Sequence, residues 1–206
     1  TAQLATLSAI QAAALDTVDV AQLGTDQVRA LSTAAVAGLT TTQVNKLSTD
    51  QVKSLLSSQV GALTSAEVTA LTTAQLATLS SEQMAALKGT QVIGFETGDL
   101  VSLSSDQINA MTTAAFSALT TSQVARLTTN QVANLSSAQA AALTSDQLVA
   151  LTTTQVAQLS STAAAALNAA QVSAIEVADL AKVSTTAISS IVTSAISGLT
   201  TDQVAG

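Results

Sequence analysis

Cysteine, histidine, proline, tryptophan and tyrosine are all missing from this chain of 206 residues. Without cysteine there is neither a disulfide staple nor a thiolate metal site, and the redox compartment stays open. Without histidine, the abundant Ser and Thr hydroxyls lack the usual base that would activate a nucleophile. The six Lys and Arg are scattered through near-identical units and form no catalytic constellation. The chain is therefore expected to be no enzyme and to carry no cofactor. Six cations against 13 acids leave a net charge of −7, the wrong sign for neutralising a phosphate backbone, so no nucleic-acid partner is expected. Long hydrophobic runs are also absent. A membrane span needs about 18 continuous apolar residues, and here Ser, Thr or Gln interrupts every short run, so no membrane insertion is expected. The opening "TAQLATL" shows no basic region followed by an apolar one, and no secretory signal is visible in it.

What is present is almost monotonous. Ala, Ser, Thr, Leu, Val and Gln dominate a composition that is 48% hydrophobic and only 9% charged, too apolar for an ordinary disordered linker and too simple for an ordinary globular domain. The stretch "LTTSQVARLTTNQVANLSSAQAAALTSDQLVALTTTQVAQL", Leu119 to Leu159, states one eight-residue phrase five times. With Leu7 as position 1, this octad runs without insertion or deletion from Thr1 to Gly206. Position 1 is apolar in 25 of 25 copies and position 6 in 26 of 26.

The spacing of those two positions selects a conformation. In a strand, positions 1 and 6 would face opposite sides, because side chains alternate with period two. In an unbroken helix, eight residues over two turns is 4.0 per turn, and the apolar stripe would drift away from any partner. A series of very short helices, each begun afresh, satisfies both positions. Position 2 is Ser, Thr, Asp or Asn in 19 of 25 copies and position 5 is Gln in 17 of 26. Those are the two residues of a capping box, in which the hydroxyl accepts from the amide three residues on and the Gln side chain returns to the cap amide. Positions 1 and 6 then fall at N′ and N4, the two halves of a hydrophobic staple. Charge agrees: all 13 acids lie at positions 2, 4 or 5, and Arg29, Lys46, Lys53, Arg126 and Lys182 lie at positions 7 or 8, as the helix dipole favours. Only Lys88, at position 2, departs from this. Each octad is thus predicted to hold about six helical residues, from position 3 to the next position 1.

One Leu and one Val per octad cannot offset the entropy of ordering eight residues, so neighbouring octads must bury their stripes together. The predicted fold class is an all-α repeat solenoid, or superhelix, of very short capped helices, a rod rather than a globule. Residues 1–206 form a single array. Position 3, Ser or Thr in 22 of 26 copies, would then face water and keep a charge-poor surface solvated.

A longer period runs through the short one. Phe95, Met111, Ile175, Val183 and Ile191, the departures from Leu at position 1, fall in segments 80 residues apart. The blocks 15–38, 95–118 and 175–198 align with one another. Ten octads would suit three turns of 3.33 octads or five turns of two, and the lack of odd and even alternation favours about three per turn. Tandem duplication of a gene segment also explains the period; a contact site recurring along the rod, presenting Phe95 and Phe116, is the functional alternative. Within the blocks, Asp16 with Asp19, Glu96 with Asp99, and Glu176 with Asp179 pair carboxylates on one turn. Ca²⁺ accepts six to eight oxygens, so two carboxylates make no site, and acids favoured at a helix start explain the pairs. No metal site is assigned to them.

At the consensus "LTTAQVAAL" the chain resembles the opening of transcription activator-like effector repeats. That likeness covers one short helix only; those units are about four times longer, basic and built around a base-reading loop, so DNA reading does not carry over. The whole chain resembles the Leu-Thr-Thr-x-Gln-Val/Leu-Ala-x arrays of very large bacterial proteins that are exported or surface-associated. That resemblance implies a structural role, an extracellular or cell-surface location and no active site. The terminal octads, "TAQLATL" and "LTTDQVAG", look like internal ones, which predicts a segment of something longer. Arrays without polar capping repeats associate end to end, so the expected partner is a second copy, in a fibre, filament or adhesin stalk. The alternative is a binding module whose recurring block contacts a protein, a glycan or Ca²⁺.

Overall fold

The computed structural model describes residues 2–205. Among them are 26 helices of four to six residues and no strand, one helix for every octad. The octad α6 (Thr41–Lys46) shows how each is built. Thr40 is extended, at φ −73° and ψ 155°, and its hydroxyl accepts from the Gln43 amide while the Gln43 side chain accepts from the Thr40 amide. Leu39 and Val44, the staple residues, are both buried. The helix ends at Leu47, again extended at φ −58° and ψ 141°. A corner is therefore two extended residues, position 1 and position 2. Any L-residue adopts that conformation, and no described residue has a positive φ. This is why the chain turns at every octad without proline and with only eight glycines.

Helix length varies at the C-terminal side. Where six residues were expected, α8 (Ser57–Val60), α10 (Thr73–Leu76) and α16 (Thr121–Val124) hold four and close on an αR residue at position 7. The reason is that the octad fixes its start with a capping box but carries no matching stop signal, so the last turn tightens to three-residue bonds such as Ala62 N to Gln59 O at 3.1 Å.

Contacts divide the array into two compact units. The first is Thr1–Leu103 with Ala110–Thr112, the second Ser104–Asn109 with Thr113–Gly206. In the first unit, α6 packs against α9 (Ser65–Ala70), and α9 packs against α12 (Gly89–Val92). In the second, α15 (Thr113–Ser117) packs against α18 (Ser137–Ala142), α18 against α21 (Ser161–Ala165), and α21 against α24 (Thr185–Ser190). Each helix thus lies on the third one along, and a coil of each solenoid takes about three octads, as the lack of two-fold alternation implied. Positions 1, 5 and 6 point inward, positions 2, 3 and 4 outward, and positions 7 and 8 are partly covered. Close packing of such small residues is what lets these short helices bury the stripe between coils.

Candidate functional site: the links between coils

The burial of position 5 was not anticipated. A capping glutamine on an isolated helix is a surface residue, yet Gln43, Gln59, Gln75 and Gln139 are 1–2% exposed. A buried amide must have its oxygen and both its N–H groups satisfied, or it destabilises the fold. The cap takes only the oxygen: Gln59 Oε1 accepts from the Leu56 amide at 2.7 Å. Its Nε2 crosses to the preceding coil and donates to the carbonyls of Val28 at 3.0 Å and Leu31 at 2.7 Å. Gln75 repeats this with Val44 at 3.0 Å and Leu47 at 2.7 Å, and Gln91 with Val60 at 3.2 Å and Leu63 at 2.6 Å. In the second unit Gln171 takes Ala140 at 2.9 Å and Leu143 at 2.7 Å. The acceptors are carbonyls at helix C-termini: the position 6 carbonyl already accepts from the position 1 amide, as Val28 O does from Leu31 N at 3.2 Å, and the glutamine adds a second donor to it and one to the position 1 carbonyl. One amide therefore closes the start of its helix and the end of another, 28 and 31 residues earlier.

The variant blocks replace this link. Position 5 is Asp99 in one and Asp179, Ala187 and Ala195 in the next. Asp99 is buried, and its carboxylate accepts from the Glu96 amide at 2.8 Å and from the Thr73 hydroxyl at 2.6 Å. It keeps the cap half of the link but has no N–H for a carbonyl. Where Ala35 stands at position 5, the hydroxyl of Ser32 donates to the Leu7 carbonyl at 3.3 Å instead. Alanine also lets coils close up. A Cβ on Gly38 would lie 2.4 Å from Ala9 Cα, and one on Gly198 would lie 2.3 Å from Ala169 O. Both glycines end the third octad of their block, and there only glycine tolerates the backbone of the preceding coil.

The residues singled out from sequence fall as follows. Phe95 is 4% exposed and Phe116 is fully buried, so neither is presented to a partner; they fill core positions 1 and 6, Phe116 beside Ala115, which supplies the room. This corrects the expectation that the blocks display them. Asp16 accepts from the Val18 amide at 2.8 Å and caps α3 (Thr17–Ala21). Asp19 is exposed in the first coil. Glu96 and Glu176 are exposed while Asp99 and Asp179 are buried, so each of these pairs is split between solvent and core. Among the described residues no three acidic side chains converge on a point that could hold a metal, and no helix is long and apolar enough to cross a membrane.

With the octad, its capping box and its stacking in view, the comparison with protein families is informative. The model of the ALTTAQ repeat matches residues 20–57, 55–89, 92–129, 126–153 and 172–206. The chain belongs to the ALTTAQ repeat family. No curated protein matches it. The ALTTAQ matches 20–57, 55–89 and 172–206 each contain both ends of a glutamine link, Gln51 with Leu23, Gln83 with Leu55 and Gln203 with Ile175.

Proposed function

We propose that this ALTTAQ array is a structural, non-enzymatic module that extends by adding further coils end to end, in a bacterial surface fibre, filament or adhesin stalk. The observation that carries the reading is the two-sided glutamine link. Any stretch of such an array offers the donor half at one end and the acceptor half at the other. In the first coil Gln11 is exposed, with its oxygen held by the Ser8 amide at 2.9 Å. Val204 stands at position 6, part of the apolar stripe by which successive coils meet. Open head-to-tail contacts of this kind propagate instead of closing. The exported, surface-associated setting rests on the resemblance to large bacterial arrays.

Sedimentation of the purified chain over a range of concentrations, with electron microscopy of the same samples, tests the assembly. End-to-end particles that lengthen with concentration, and that shorten when Val204→Glu is introduced, are expected. A monomer at every concentration would rule the reading out. Protease treatment of intact bacterial cells tests the location, with loss of the array expected.

A further inference from the structure

Glu67 is the only glutamate at position 5, the position that otherwise carries the link-forming glutamine. It is 2% exposed, as buried as its glutamine counterparts. One carboxyl oxygen, Oε2, accepts from the Thr64 amide at 2.5 Å, so the cap half of the link is intact. Glutamate is isosteric with glutamine, and the links at Gln59 and Gln75 run 28 and 31 residues back. The carbonyls in that register for Glu67 are those of Val36 and Leu39, both buried residues. Glutamine brings N–H donors to such carbonyls. A carboxylate brings only a negative oxygen, which carbonyl dipoles repel, whereas a carboxylic acid brings one O–H donor.

We propose that Glu67 is a proton-operated latch between coils: as the carboxylic acid it donates to the Leu39 carbonyl and repeats the glutamine link, and as the carboxylate it releases that link. The step is a proton exchange with water and needs no other reactant. Nothing else nearby is placed to supply the charge balance. Helix α9, which carries Glu67, packs against α6 and α12. The only charged side chains on or beside those two helices are Lys46, at the end of α6, and Lys88, the residue before α12, and both are exposed. The neighbouring helices α8 and α10 carry no charge.

Burial pushes the Glu67 carboxyl above its ordinary value of 4.5, against the opposing hydrogen bonds from Thr64. A group whose folded value is raised binds its proton more tightly in the folded state. Its contribution to stability is therefore fully present below pH 4.5 and is lost as pH rises through the raised value.

Hydrogen exchange across α9 and α5 (Thr33–Val36), the helix that ends at the acceptor carbonyls, reads the latch directly. Protection factors in the parent should fall severalfold between acid and mildly alkaline pH, while Glu67→Gln stays protected throughout. Placing the acid elsewhere, as Gln59→Glu, should transfer the same fall to α8 and to α4 (Thr25–Ala30), whose carbonyls Gln59 reaches. A parent whose protection is independent of pH, an equal fall in Glu67→Gln, or a Gln59→Glu variant without the transferred dependence would each overturn the proposal.

Discussion

The regular octads of the first unit and the block 175–198 of the second stack their coils by different means. In the regular octads an amide spans the gap: Gln51, Gln59, Gln75, Gln83 and Gln91 each tie a helix start to carbonyls of the coil before. In the block, Asp179, Ala187 and Ala195 occupy the same position, and Gly198 brings the backbones together. The amide link is directional and its cost of burial is offset only when every hydrogen is placed. The alanine and glycine contact is non-directional, depends on volume alone and has no polar group to satisfy. A solenoid can therefore alternate between a hydrogen-bonded and a close-packed seam without changing its octad.

Substitutions at the core, the glutamine link, the glycines and the caps probe that difference, taken broadly from the largest expected effect to the smallest. Phe116→Ala removes the largest side chain of the second unit's core, in an octad that has Ala115 instead of glutamine at position 5; a loss of about 3–5 kcal/mol is expected in urea unfolding. Gln59→Met keeps the volume but strips the donor from the carbonyls of Val28 and Leu31 and the acceptor from the Leu56 amide. Unsatisfied buried groups cost about 1–3 kcal/mol each. A loss near 3 kcal/mol is expected, against less than about 0.5 kcal/mol for the same change at exposed Gln11. If both positions responded equally, the cap would be the whole role of the glutamine and the seam would need another explanation.

Gly198→Ala tests the close-packed seam, since its Cβ would meet Ala169 O at 2.3 Å; overpacking should lower stability by about 1–3 kcal/mol. Gly98→Ala is the control of opposite sign. Nothing lies within 4 Å of its Cβ position, it sits inside α13 (Thr97–Ser102), and thermal melting should show a gain of about 0.5–1 kcal/mol. The caps give an effect of similar size. Val192 precedes α25 (Thr193–Ile196) with no side-chain cap bond, so Val192→Thr should add about 1 kcal/mol, and Thr120→Ala should remove a similar amount from α16.

Much of this was legible in the octad. The hydroxyl at position 2, the glutamine three residues on and the apolar pair at positions 1 and 6 place every helix start, and the structure has a helix in each octad. The inter-coil half of the glutamine was not read, although the composition carried a trace of it. A capping box accepts Glu as readily as Gln, and a helix N-terminus favours the acid, yet position 5 holds 17 glutamines and one glutamate. That imbalance is a demand for N–H donors. The two Phe were read as display residues because they fall in the recurring blocks, whereas they fill the core at positions 1 and 6.

The sequence by itself determined where each helix begins and which residues staple it, because capping boxes and staples close within a single octad and need no distant partner. Only the stacked structure decided what position 5 does with its amide hydrogens and where glycine is obligatory. Those contacts join groups about 28 residues apart, and no local pattern specifies them until three octads have closed a coil and brought the next one into reach.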